Sequence, residues 1–247
     1  MTSTKRDAIR AQRTKKKRQQ RMNTLLWVGG FILLLIIILT LPSIYTAVKP
    51  VGDFVKITPI PYPLIDGKAI GNPEARVKIE VYEDFQCPAC KGYTESIERQ
   101  LLTSSYITDG QVNYTYRQYP FLDSQAIGKE SLQAANASMC ALEQDRFWDY
   151  HDLLFANQGA IENGGSYNNK RLQAFAESLG LDMTAFNSCF NQNKYSNEIE
   201  ADYQLGRSAG VTRTPSILLN GVNNFPTYLP TYSELTAAID SVLATGE

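Results

Sequence analysis

Apolar residues recur along this chain in three patterns, and the changes between them mark its parts. From Met22 to Val48 no charged residue interrupts, and Leu25 to Leu41 reads LLWVGGFILLLIIILTL, long enough to cross a bilayer as a helix. Val77 to Glu83, VKIEVYE, is short and rich in β-branched and aromatic residues and predicts a strand. A helix is expected from Cys87. Gln111 to Gln118, QVNYTYRQ, alternates and predicts a second strand before the Tyr119-Pro120 break. From about Ser124 to Gly210 the spacing becomes helical, in SLQAANASMCALEQ, FWDYHDLLF, KRLQAFAESLG and an amphipathic run from Ser196 to Ser208. Ser216 to Gly221, SILLNG, predicts a strand entering an Asn-Gly turn, with Val222 to Phe225 as a partner that Pro226 keeps short. A terminal helix is expected from Tyr232 to Leu243. Strand, helix, strand, helices, hairpin, helix is an α/β plan in which a helical insertion interrupts a small sheet.

Charge divides the chain more sharply than its near-neutral total of -1 suggests. Residues 1–22 carry nine basic side chains against Asp7 alone, a net +8; the remaining 15 basic and 24 acidic residues leave -9. The basic side of a membrane span faces the cytoplasm. The expected organisation is therefore a cytoplasmic tail at 1–22, a transmembrane anchor at 23–48, an extended linker at 49–72 and an exported domain at 73–247. A cleaved signal peptide is the competing reading, but the apolar run exceeds the usual length and no convincing small-x-small site follows Pro42. Four prolines between Lys49 and Asn72 favour an extended linker. The acidic body disfavours nucleic acid, and attraction of the tail to anionic lipid already accounts for its charge.

The candidate chemistry lies in Cys87-Pro88-Ala89-Cys90, two thiols three residues apart between a predicted strand and a predicted helix. In a first helical turn they come within reach of a disulfide, and Pro88 sits where its missing N–H costs nothing. The free N–H groups and the dipole of the helix start favour a thiolate at Cys87, the nucleophile, leaving Cys90 as the resolving thiol. A structural disulfide, two core thiols or half a zinc site are the other readings. Zinc lacks ligands, since His151 is the only histidine, and a four-residue ring removes little chain entropy. No motif implies a nucleotide, flavin or metal cofactor.

Three segments together, GNPEARVKIEVYEDFQCPAC from Gly71, FWDYHDLLF from Phe147 and GVTRTPSILLNG from Gly210, resemble the DsbA-like thiol-disulfide oxidoreductases of the thioredoxin superfamily, in their membrane-anchored form. The resemblance implies a thioredoxin-like fold with the helical insertion at about 124–210, an active disulfide between Cys87 and Cys90, and a cis Thr214-Pro215 bond facing it. Thr214 and Pro215 would then offer backbone to an extended client while Cys87 is joined to it. The alternative is a trans proline that opens a strand. Members of the family often carry an acid where Val81 stands here, with Glu80 before it; Glu83 or Asp84 would have to replace it as proton acceptor for Cys90. Between the cysteines no His stabilises the thiolate, which implies a milder oxidant.

Cys140 and Cys189 fall in the predicted insertion; as exported residues they read as a second, structural disulfide or as two buried thiols, and some members of the family have a bridge there. His151 reads as a hydrogen-bonded core residue before a proton shuttle, and Arg117 and Arg213 as solvated surface before substrate-steering charges. The expected activity is transfer of the Cys87-Cys90 disulfide to reduced or unfolded exported proteins at the outer face of the cell membrane, with a membrane redox partner resetting the pair. The same residues run in reverse make a reductase or isomerase. A tethered peptide-binding or chaperone module is the reading from another class.

Overall fold

A computed structural model of the chain describes residues 3–48, 50–124 and 128–245. It divides into two compact units, residues 1–50 and 51–247. The first is one helix, α1 (Ser3–Val48), whose stretch Lys15–Leu41 is long and apolar enough to span a bilayer. Along that stretch the apolar side chains, Trp27, Phe31 and Leu39 among them, are exposed.

The second unit is built on a six-stranded sheet in the order β1-β2-β4-β3-β5-β6. The strands are β1 (Ile65–Asp66), β2 (Ala69–Gly71), β3 (Val77–Glu83), β4 (Val112–Gln118), β5 (Ser216–Leu219) and β6 (Val222–Asn223). β3 and β4 run parallel with Ile79 opposite Tyr114, and β5 returns antiparallel on the other side of β3 with Ile217 opposite Val81. The crossover between β3 and β4 holds α2 (Pro88–Tyr93), a π turn (Thr94–Glu98), α3 (Arg99–Leu102) and α4 (Ser105–Thr108). The sequence pattern does not resolve this interrupted helix. β6 is shorter than the expected Val222 to Phe225, because the Asn223 side chain accepts from the Phe225 N–H and turns the chain before Pro226.

The inserted helices are α5 (Glu130–Leu142), α6 (Phe147–Ala156), α7 (Asn169–Ser178), α8 (Met183–Asn191) and α9 (Ser196–Ser208); α10 (Tyr232–Thr245) closes the fold. Asn168 and Asp182 start α7 and α8 by accepting from the first free backbone N–H groups. The expected start of the insertion at 124 runs into residues 125–127, which lie outside the described residues. The main core joins Ile79, Val81, Tyr114 and Tyr116 of the sheet to Phe147, Trp148, Leu154 and Phe155 of α6. The opposite face buries Tyr82 and Leu218 with Tyr119 and Val211, and α9 covers it. A side chain on Gly206 would meet the Tyr82 and Tyr119 rings within 2.8 Å, so only glycine lets α9 lie this close.

The second unit opens, from Val51, on an extended segment that is held down on its own fold rather than free. Asn157 takes both backbone groups of Val55, accepting at 2.7 Å and donating at 2.8 Å. Arg171 donates to the carbonyls of Val51 and Asp53, and Phe54 meets the Phe175 ring edge-on at 5.0 Å. The sheet, moreover, begins at Ile65, ahead of the expected domain start at 73. Short range hid this: β1 and β2 are only two and three residues long, too short for a period to register.

Candidate active site at Cys87 and Cys90

β3 delivers the chain to a tight turn held by hydrogen bonds from several directions. The Asp84 carboxylate accepts from the N–H of Gln86 at 2.8 Å and of Leu122 at 2.9 Å, and the Asp84 carbonyl accepts from Cys87 N–H at 2.9 Å. Burial raises the Asp84 carboxyl to about 7, against these bonds. From the insertion, Gln158 donates to the carbonyls of Phe85 and Cys87 at 2.7 and 2.9 Å, and Tyr167 donates to Phe85 O at 3.0 Å. Gln86 bonds in turn to Ser131 at 2.8 Å. Sequence reasoning missed Gln158, Tyr167 and Gln86 because each acts across the fold and no local pattern marks them.

Cys87 caps α2 with an extended backbone and Pro88 takes the first helical position, the arrangement that leaves the helix N–H groups to the sulfur. Cys87 is 8% exposed and Cys90 is fully buried, and both are free thiols in this structure. The Cys90 thiol is the largest influence lowering Cys87 to about 6; burial opposes it, while Thr214 and the N–H groups of Cys90 and Ala89 assist. Burial first, then the hydrogen bond to Cys87 and the charge of Glu83, push Cys90 well above the usual thiol range. The two thiols are thus separated in acidity by their surroundings, one poised as thiolate and the other held protonated.

The Cys87 Sγ donates to the Thr214 carbonyl at 3.4 Å, and the Thr214-Pro215 bond is cis. Thr214 and Pro215 therefore stand beside the thiol, just ahead of β5. Beneath Cys90, Glu83 is fully buried with neither carboxyl oxygen in hydrogen-bond geometry among the described residues. Burial, then the charges of Glu98 and Cys87, hold it protonated well above the usual carboxyl range, and Cys90 works against them. Val81 and Glu83 lie two apart on the strand, so an acid at 83 serves the same face as one at 81. Asp84 is spent on the turn.

The other singled-out residues lie elsewhere. Cys140 and Cys189 form a disulfide, with Cα atoms 5.8 Å apart, that ties α5 to α8. Arg117 pairs with Glu80 and with Asp202 at 3.2 Å, and Arg213 donates to the Phe225 carbonyl at 3.0 Å. His151 is fully buried within the core.

The thioredoxin family model matches residues 65–241, most of the chain. The chain belongs to the thioredoxin family. This thioredoxin-family chain is 26% identical over 179 residues to a probable disulfide bond formation protein D of Bacillus cereus, covering 71% of this chain and 78% of that one. The oxidised form of BdbD from Bacillus subtilis superposes with a TM-score of 0.61 at 24% identity, over 78% of this chain and all of that one, which shows the same fold. A further relative is a Na(+)/H(+) antiporter NhaA 1 of Salinispora arenicola, 31% identical over 174 residues and 70% of this chain. The chain spans about a quarter, 24%, of that antiporter's length. Relatives and structural neighbours thus include DsbA- and BdbD-like thiol-disulfide oxidoreductases.

Proposed function

We propose that this protein is a membrane-anchored thiol-disulfide oxidoreductase whose folded unit lies outside the cytoplasm and donates the Cys87-Cys90 disulfide to exported proteins as they fold. The observation that carries the reading is the split of the two thiols, Cys87 at about 6 against Cys90 far higher. A stabilised thiolate at Cys87 favours the reduced pair, which makes the oxidised pair a donor. The span within α1, the basic tail and the acidic body support anchoring with the tail inside, residues 1–22 cytoplasmic and 23–48 in the bilayer.

The reaction runs as two exchanges. A client thiolate attacks Cys87 Sγ; the Cys87–Cys90 bond breaks, Cys90 leaves as a thiolate and takes a proton from Glu83. A second client thiolate then attacks the client sulfur of the mixed disulfide, releasing Cys87 as its stabilised thiolate. Two electrons pass from the client thiols to the pair, and a membrane redox partner removes them to restore the disulfide. Thr214 offers its backbone to the client segment beside Cys87, and Cys140–Cys189 holds the insertion without taking part.

The test is the redox equilibrium of the full chain in detergent micelles against glutathione buffers, with Cys140 and Cys189 replaced by Ala and the Cys87-Cys90 state read by alkylation and mass. A potential of about -120 to -180 mV supports donation, whereas one near about -270 mV makes the protein a reductase. A chain with no reversible exchange is a binding module instead.

A further inference from the structure

Two neighbouring residues at the end of α6 hold two different parts of the fold. Asn157 is 9% exposed. Its Oδ1 accepts from the Val55 N–H at 2.7 Å, and its Nδ2 donates to the Val55 and Leu153 carbonyls at 2.8 and 2.9 Å. Gln158, the next residue, donates from Nε2 to the carbonyls of Phe85 and Cys87 at 2.7 and 2.9 Å. A single peptide link therefore stands between the segment that opens the second unit and the turn that carries the thiol.

That segment is fastened along its length. Arg171 donates to the Val51 and Asp53 carbonyls at 3.3 and 3.1 Å, and Ile57 and Ile60 pack on the main core. Tyr62 donates to Asp152 at 3.2 Å and meets the Trp148 ring edge-on at 5.8 Å, so α6 is held from Trp148 to its end at Asn157. The Val55 side chain is 59% exposed; what Val55 contributes is its backbone.

Gln158 is not needed to satisfy the carbonyls it reaches. Phe85 O also accepts from the Tyr167 hydroxyl at 3.0 Å, and Cys87 O from the Lys91 N–H at 3.2 Å. What Gln158 adds is a clasp across two carbonyls two residues apart, and its consequence falls on one torsion. The peptide unit is planar, so the direction of the Cys87 carbonyl fixes the Cys87 ψ, here 119°. The same ψ sets where α2 lies relative to the Cys87 side chain. The Ala89 and Cys90 N–H groups that favour the thiolate belong to α2. Holding the carbonyl thus holds the sulfur against those groups, at 3.4 Å from Thr214 O.

We propose that Gln158 is a positioning residue for Cys87, and that residues 51–62 brace it there through Asn157. The proposal rests on the reading of Cys87 as the thiol that clients attack. It makes the proline-containing segment part of what presents the sulfur, beyond its use as a spacer.

The test is iodoacetamide alkylation of Cys87 across pH in the reduced full chain in detergent, with Tm recorded beside it. Cys90 and Glu83, the titratable groups next to Cys87, are left in place. Gln158→Met keeps the length without the donor. It is expected to raise the alkylation midpoint from about 6 by about half a unit or more, about a threefold loss of thiolate below the midpoint. Val55→Pro removes the N–H that Asn157 accepts from a chain already extended, and is expected to move the midpoint the same way by less. A midpoint left near 6 in Gln158→Met overturns the positioning even where Tm falls, since a merely structural contact lowers Tm alone. A midpoint that moves in Gln158→Met but not in Val55→Pro overturns the brace. Should either variant fail to fold, amide exchange decides. A segment that favours the thiolate is tightened by it to the same degree, so at neutral pH the Val55 N–H is better protected in the reduced parent than in Cys87→Ser, and equal protection overturns the proposal. A parent Cys87 that titrates near the ordinary 9.0 defeats the reading of Cys87 as the attacked thiol itself, which separates the two failures.

Discussion

The Cys87 sulfur stands 3.4 Å from the main-chain oxygen of Thr214, 127 positions further along the chain. That contact brings the acidic thiol of α2 to the backbone that precedes β5, so one spot on the surface joins a sulfur to attack with a peptide edge to bind. Under the proposed reading, a mixed disulfide at Cys87 would place the client chain against the Thr214 backbone.

Acidity of Cys87 is set by its neighbours, Cys90 above all. Alkylation of the reduced chain is therefore expected to rise with pH through a midpoint near 6, and Cys90→Ala is expected to move that midpoint up toward the ordinary thiol value of 9.0, by about one unit or more. Iodoacetamide rates across pH measure both. An unmoved midpoint in the variant assigns the shift to the helix start instead of to Cys90.

The same displacement links the stability of the reduced form to pH. A depressed acid adds no stability below its folded value, so the Cys87 contribution appears above about 6 and is complete above 9.0. At neutral pH it amounts to about 1 kcal/mol. Glu83 and Asp84 act with the opposite sign: their values are raised, so the stability tied to their protonated forms is full at acid pH and lost as pH rises, for Asp84 through about 7. Cys87→Ser isolates the thiolate. The Tm gap between reduced parent and variant should widen with pH from about 6 to about 9, and a constant gap contradicts the linkage.

Local pattern alone reveals much of this site. Alternation in QVNYTYRQ locates β4 with Val112, Tyr114, Tyr116 and Gln118 inward, and the spacing of Cys87 and Cys90 places them at a helix start. The acid under Cys90 is half-legible: the family position holds Val81, but the period of two keeps Glu83 on the same face, where burial finds it. What local pattern cannot show are contacts made across the fold. A proline-rich stretch reads as a free linker because Asn157, which grips Val55, is 102 residues away. His151 reads as a core residue and is one, buried among the rings of Phe85, Tyr116, Trp148 and Phe155, whereas the π turn that buries Glu98 is announced by no periodicity.

Glu83 is positioned to take and give the Cys90 proton, and Gln keeps its size without that capacity. Glu83→Gln is expected to slow resolution of the mixed disulfide by Cys90 about a hundredfold, with the Cys87 alkylation midpoint staying near 6 because Glu83 is not among its main influences. Stopped-flow release of an aryl thiol measures the first and alkylation the second. An unchanged release rate assigns proton acceptance to another group.

The disulfide between Cys140 and Cys189 closes a separation of 49 residues and joins α5 to α8, the helices that also meet through Asn136 and the Phe190 carbonyl. In the chain-entropy account such a loop stabilises the fold by about 4 kcal/mol. Gln158 and Tyr167, which hold the carbonyls around Cys87, belong to the same insertion. Replacing one cysteine alone would leave its partner as a thiol able to exchange with Cys87, so the informative variant is the double Cys140→Ala, Cys189→Ala. Denaturant unfolding should show the loss in stability while disulfide exchange in the still-folded protein persists near the parent rate, because neither sulfur touches the site. A double variant that stays folded yet loses exchange makes the bridge part of what holds Cys87 in place.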